Sequence, residues 1–288
     1  MKLQSFIQDP AFKKKFVLEK LLCHYLNKTR TELWIDADQE IPEDIAEKVR
    51  EDYRAYEEDE KPLEYLLGYV EFFWTKFYVN ENTLVPRPET EYMISAVTEH
   101  VQEMENNKKI LLDIWTWCWV LWCSVLLQNK ESFDEVFLVD ISEEALKVAE
   151  KNYNNLIWDG YNTRFLKSNL CSFLENEQEL IKNRDIILVA NLPYIPNKTF
   201  EDNAPSNVQK WEPKVAFVWW DDWLDLYRIM FKQLKELTKD INSISMFLEM
   251  MTWQVDILRE EFWEYMEFEE VKTFHFNIRI VKANFKKS

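Results

Sequence analysis

The chain of 288 residues contains two glycines, Gly68 and Gly160, and thirteen tryptophans. Proteins average about 7% glycine, so a chain this long would ordinarily carry roughly 20. Glycine takes positive φ at little steric cost, whereas a residue with a Cβ pays roughly 1–2 kcal/mol there. Tight turns in this chain must therefore be closed by residues poorly suited to them. Seven of the tryptophans crowd into two stretches, Trp115, Trp117, Trp119 and Trp122 in the first and Trp219, Trp220 and Trp223 in the second. The first stretch follows an apolar run ending at Asp113-Ile114, where a strand would turn into a helix.

With 47% hydrophobic and 15% aromatic residues the chain can bury a sizeable core, and its length suits a small domain followed by a larger one. A net charge of −17 argues against a strong, sequence-independent grip on nucleic acid, which depends on clustered Lys and Arg. The four cysteines form no CxxC pair, so a reduced, cytoplasmic chain is expected. The three histidines share no ligand spacing, and no metal site is expected. Ile110 to Leu127 carries one charge, Asp113, and has the length of a membrane span. An Asp at mid-helix costs about 2.5–3.5 kcal/mol, and central tryptophans are wrong for an interface belt, so no span is expected. No secretory signal is expected either, because charges follow the start of the chain closely.

Residues 1–72 read as a helical, charge-rich domain. Apolar positions recur at helical spacing from Phe12 to Leu26, Pro42 opens a second helix, and a third runs from Lys61 to Leu67 with Gly68 as its C-cap. Residues 73–91 read as a hairpin linker. From residue 92 to 288 strands and helices alternate, with strands expected at Ile110–Ile114, Glu135–Asp140, Arg164–Lys167, Ile186–Asn191 and Ile244–Glu249. Ser142 is placed to cap the helix Ser142–Leu156. Two last strands, Val271–Phe276 and Arg279–Phe285, follow a helix at Gln254–Phe262 with none between them. This pattern predicts an α/β fold with a mostly parallel sheet and a C-terminal antiparallel hairpin.

Ligands of such sheets bind beyond the C-terminal strand ends. Asp140, at the end of the second strand, is placed to accept from both hydroxyls of a ribose. An ordinary polar strand end explains the same residue. The fourth strand ends in Asn191-Leu-Pro-Tyr194. Asn191 offers a side-chain carbonyl, Leu192 and Pro193 offer main-chain carbonyls, and Tyr194 offers a flat face, a set suited to holding a planar amide or amino group. A plain strand-to-loop turn broken by proline is the alternative.

Several segments together resemble one family, the protein-(glutamine-N5) methyltransferases PrmC or HemK, which modify class I peptide chain release factors. Tyr65-Leu-Leu-Gly-Tyr-Val-Glu-Phe72 and Leu84-Val-Pro-Arg-Pro-Glu-Thr-Glu91 resemble its inter-domain hairpin and PRPxTE signature. Leu112 to Val120 resembles its DLGTGSG loop, and Asn191–Tyr194 its NPPY motif with Leu192 for the first proline. Trp211-Glu-Pro-Lys-Val-Ala-Phe217 and the following residues to Arg228 resemble its EPxxAL…GGxDGLxxYR segment. The resemblance spans nearly the whole chain. It implies a class I, Rossmann-like methyltransferase domain with a seven-stranded sheet, a small N-terminal helical recognition domain, and S-adenosylmethionine as methyl donor. By position, Asp113, Trp115, Thr116, Trp117, Cys118 and Trp119 would line the methionine and ribose, with Asp140 on the ribose hydroxyls. Asn169 and Leu170 would flank the adenine. Asn191, Leu192, Pro193 and Tyr194 would hold the reacting glutamine, with Asn191 also bordering the cofactor.

Trp115, Trp117, Trp119, Trp219, Trp220 and Trp223 stand at family glycines, and Trp74 is placed with them; Trp122, Trp158, Trp253 and Trp263 are further candidates. One residue type replacing one other at chosen places is the pattern left when UGA, a glycine codon in some bacterial codes, is read as tryptophan. Taken at face value, the indoles would plug the cofactor loop and leave a pseudoenzyme or binding module. Two other acceptors suit the same motif, a ribosomal-protein glutamine and an adenine amino group of rRNA or DNA.

Overall fold

The computed structural model describes all residues except 105–108, 117–119, 158–160, 219–223, 238, 274–277 and 287–288. The chain forms two compact units, residues 1–69 with 205–211, and residues 70–204 with 212–288.

The first unit is helical: α1 (Leu3–Gln8), α2 (Lys15–Leu26), α3 (Arg30–Ile35), α4 (Glu43–Glu58) and α5 (Leu63–Leu67). The apolar stripe of α2, Val17, Leu18, Leu21 and Leu22, is buried in one cluster with Phe6, Ala46, Val49 and Tyr53. Asn27, at φ 51, ends α2 in the left-handed conformation. Gly68 ends α5 at φ 72, as its position after Leu67 predicts. The short helices α1 and α3 were not expected. The Thr29/Glu32 capping box that starts α3 was a readable signal for it.

At the passage into the second unit stand β1 (Tyr69–Phe72) and β2 (Thr75–Tyr78), joined by Phe73 and Trp74. Both joining residues have positive φ, 43 and 66, the requirement of a type I′ hairpin, which Asn-Gly satisfies best. Then follow α6 (Thr90–Glu103), β3 (Lys109–Ile114), α7 (Val120–Gln128), β4 (Phe133–Asp140), α8 (Glu143–Leu156), β5 (Asn162–Lys167), α9 (Gln178–Ile181), β6 (Asp185–Ala190) and α10 (Asn197–Asn203). After α11 (Ser206–Trp211), within the segment that clusters with the first unit, come α12 (Asp225–Leu237), β7 (Ser243–Met251), α13 (Thr252–Phe262), β8 (Met266–Thr273) and β9 (Ile278–Phe285). Ser142 caps α8 by accepting from the Ala145 N–H at 3.2 Å.

The large sheet has the order β5-β4-β3-β6-β7-β9-β8. Its first five strands are parallel, and β9 pairs antiparallel with both β7 and β8. This is the expected mostly parallel seven-stranded sheet with a C-terminal hairpin. β3 and β6 are buried at every position, which explains the apolar runs Ile110–Leu112 and Ile186–Ala190 within them. β8 begins at Met266 rather than Val271, because Glu267, Glu269 and Glu270 on this edge strand are exposed and mask its apolar signal. The turn of this hairpin, and with it the expected strand end at Phe276, lies outside the described residues. The apolar run from Ile110 to Leu127 is divided between β3 and α7. Among the described residues no helix is long and apolar enough to cross a membrane. From β3 the chain builds outward through β4 to β5, then returns to place β6 on the other side of β3. That reversal is the switch point where open α/β sheets bind ligands.

Candidate active site at the strand ends

On one side of the switch point, β3 delivers Asp113 and β4 delivers Asp140, both buried. Asp113 accepts from the Thr116 hydroxyl at 3.1 Å, and burial pushes its carboxyl up to about 8. Asp140 accepts from the Ser142 N–H at 2.8 Å through Oδ1. Its Oδ2 is buried and meets no hydrogen-bond partner among the described residues. Burial raises this carboxyl to about 7, against the lowering effect of the Ser142 and Ile141 N–H groups.

Trp115 continues the β3–β4 pairing by one bond, donating its N–H to the Val139 carbonyl at 2.8 Å. It then turns at φ 67 with its indole buried. Trp74 and Trp115 are the tryptophans at positive φ among the described residues. Trp122 and Trp253 sit in helices, and Trp263 has φ −55, so their backbone has no call for glycine. Trp211 is an ordinary aromatic whose indole N–H donates to the Asp59 carbonyl at 2.8 Å. Trp117, Cys118, Trp119, Trp158, Trp219, Trp220 and Trp223 lie outside the described residues.

After β5, Leu170 is fully buried at φ 55. Gln233 of α12 clamps this turn, accepting from the Cys171 N–H at 2.9 Å and donating to the Asn169 carbonyl at 3.3 Å.

On the other side of the switch point, Asn191-Leu-Pro-Tyr194 leaves the end of β6 with Leu192 and Pro193 buried. Asn191 Nδ2 donates to Glu249 of β7 at 3.2 Å, and the Tyr194 hydroxyl donates to the same carboxylate oxygen at 3.4 Å. The Thr90 hydroxyl donates to the other oxygen at 3.3 Å. The Tyr227 hydroxyl donates to the Glu249 main-chain carbonyl at 2.6 Å. Nearby, Glu212 accepts from the Val85 N–H at 3.1 Å and from Arg87 at 2.8 Å. The Ile195 N–H donates to the Phe217 carbonyl at 3.0 Å. The structure thus brings together segments far apart in the chain: 85–90, 191–195, 212–217, Tyr227 and Glu249. Thr90, Glu212 and Tyr227 lie in the segments that carry the family resemblance but had no role assigned from the sequence, and Glu249 was read only as a strand end. A glutamate inside an otherwise apolar strand was the available signal for Glu249.

The model of the PrmC N-terminal domain family matches residues 13–68. Over 232 residues the chain is 34% identical to the release factor glutamine methyltransferase of Bacillus cereus, covering 80% of this chain and 77% of that protein. The chain belongs to the release factor glutamine methyltransferase family. Another member, from Bacillus subtilis, is 30% identical over 83% of this chain and 80% of its own length. Among solved structures, the METTL16 catalytic domain in complex with a MAT2A 3′UTR hairpin superposes with a TM-score of 0.54 at 13% identity, covering 83% of this chain and 81% of that one. The N-terminal domain of human METTL16 in complex with SAH does so at 0.51 and 15%, with the same coverage. At those identities the likeness establishes that this family member has a methyltransferase fold.

Proposed function

We propose that this chain transfers a methyl group from S-adenosylmethionine to the side-chain nitrogen of a glutamine in a class I peptide chain release factor. The observation that carries the reading is the Asn191–Tyr194 turn across the switch point from a buried, half-satisfied Asp140. Residues 1–72 serve as the recognition domain, 73–91 as the hairpin linker and 92–288 as the methyltransferase domain, acting in the cytoplasm.

The polar residues fit the cofactor. Asp140 Oδ2 is a buried acceptor free for a ribose hydroxyl, and an unmet buried acceptor otherwise costs about 1–3 kcal/mol. Asp113 and Thr116 would line the methionine side and Asn169 and Leu170 would flank the adenine; Trp117, Cys118 and Trp119, assigned by position to the same side, lie outside the described residues. Trp115 is the misfit: its Cβ sits at positive φ and its indole occupies a turn where backbone must approach a ligand. A glycine codon read as tryptophan accounts both for the composition and for the backbone at 74 and 115, and the enzyme reading carries glycine there. The buried indole also favours a second reading, a pseudoenzyme with a plugged loop. The codons separate the two: UGA is expected at 115, 117 and 119, and UGG at all three sinks the glycine reading.

When bound, S-adenosylmethionine supplies a methyl group already activated by its sulfonium. The chain's own task is positioning. Asn191 Oδ1 and the Leu192 and Pro193 carbonyls accept from the glutamine N–H2 and orient its nitrogen, while Tyr194 packs on the flat amide. The buried Leu192 and Pro193 would help to keep water from the line of approach. Incubation with labelled S-adenosylmethionine should place one methyl group on a release-factor glutamine, read by mass spectrometry. Methylation of rRNA adenine or of a ribosomal protein in preference to release factor would overturn the assignment of acceptor.

A further inference from the structure

Asn191 can present its carbonyl to a substrate amide only if its own N–H2 group is held elsewhere. A free asparagine amide is nearly symmetric in shape, so packing alone does not choose which end points outward. Here the choice is made by an acceptor. Glu249 is buried in β7, takes the Asn191 Nδ2 bond at 3.2 Å, and takes the Tyr194 hydroxyl at 3.4 Å on the same oxygen. Its second oxygen is occupied by Thr90, and its main-chain carbonyl is fixed by Tyr227. We propose that Glu249 is a positioning residue that sets the amide orientation of Asn191 and the tilt of Tyr194, so that Asn191 Oδ1 faces the reacting glutamine.

The inference rests on the reaction proposed for this site, and its geometry stands apart from the cofactor loop. Burial, with the Glu89 carboxylate nearby, raises Glu249 to about 7. At pH 8 it is therefore largely a carboxylate, with acceptors only. The donors converging on it are one amide and two hydroxyls, each bringing hydrogen to an oxygen that can only accept. Glutamine at this position keeps one acceptor for Asn191 and Tyr194, and its N–H2 can donate to the Thr90 hydroxyl. Methionine keeps the volume and loses every acceptor.

The test compares the full-length chain with Glu249→Gln and Glu249→Met at pH 8. The side-chain N–H2 signals of Asn191, assigned by their loss in Asn191→Asp, are followed by NMR in each. We expect a downfield-shifted, exchange-protected proton in the parent and in Glu249→Gln, and its loss in Glu249→Met. In methylation assays kcat should fall roughly 100-fold in Glu249→Met, with the S-adenosylmethionine Kd unchanged, and recover to within about threefold in Glu249→Gln. Asn191 signals that are the same in Glu249→Met as in the parent would overturn the proposal. So would a Glu249→Gln chain as slow as Glu249→Met. A parent chain that transfers no methyl group bears on the cofactor loop and the reaction and not on Glu249, because the amide signature decides the role of Glu249 by itself.

Discussion

The two halves of the strand-end site are built on one sheet and differ in how well residue matches backbone. At the ends of β6 and β7, the described polar side chains are mutually satisfied: Asn191, Tyr194 and Thr90 all donate to Glu249. At the ends of β3 and β4, Asp140 keeps an unmet oxygen, and a tryptophan holds a conformation that suits glycine. The first half is complete as written. The second has the shape of a ligand site with the wrong residue in its turn.

The sharpest way to break this contrast is Trp115→Gly. Relief of left-handed strain and of an overfilled turn is worth roughly 2–5 kcal/mol to a ligand that needs the space, so affinity for S-adenosylmethionine should rise by at least about 30-fold by calorimetry. Stability should move the other way, since a buried indole is lost. Unchanged affinity would show that the turn does not approach the cofactor.

Asp140→Asn should weaken the same binding by about 10- to 100-fold, the worth of a hydrogen bond to a charged group. An unaltered Kd would remove Asp140 from the cofactor site.

The buried carboxyls also set a pH dependence. Asp113 is raised to about 8, and Asp140 and Glu249 to about 7, from unfolded values near 4. The folded state therefore binds protons more tightly than the unfolded state. Their contribution to stability is full below pH 4 and is lost as pH rises through 7 to 8, at up to about 1.4 kcal/mol per pH unit for each group. The melting temperature of the ligand-free chain should fall between pH 5 and pH 8, and Asp113→Asn should flatten the fall. A melting temperature that climbs over this range would contradict the burial of these charges.

The smallest effects come from two turns with nearly equal φ, Gly68 at 72 and Trp74 at 66. The Trp74 side chain is 98% exposed, so Trp74→Gly loses no packing and should stabilise by up to about 1 kcal/mol. A Cβ on Gly68 would meet no atom within 4 Å, so Gly68→Ala should cost about 1 kcal/mol from conformation alone. Denaturant melts that move both turns in the same direction would contradict this account.

What the sequence made legible follows from where each signal resides. β3, β4 and β6 are readable because strands buried on both faces carry apolar runs, Ile110–Leu112, Val136–Val139 and Ile186–Ala190, and Ser142 and Gly68 because caps are local chemistry. Asp140 and Asn191 are readable because strand ends in this topology are where polar residues meet ligands. The pairing of Glu249 with Thr90, itself within the PRPxTE-like segment, is not, since it joins the start of α6 to the end of β7 and leaves no spacing in the chain. The edge strand β8 is obscured by its own charges.

The reversal between β3 and β6 also bears on how the chain is made. As synthesis proceeds, β3, β4 and β5 emerge and can pair while β6 is still unmade. Until then one edge of β3, apolar along most of its length, has no neighbour, an arrangement prone to join another chain. The nascent protein thus passes through a half-sheet whose sticky edge becomes an interior seam of the finished sheet. Truncation after α9 should leave that edge open and yield aggregates, whereas extension through β6 and β7 should close it.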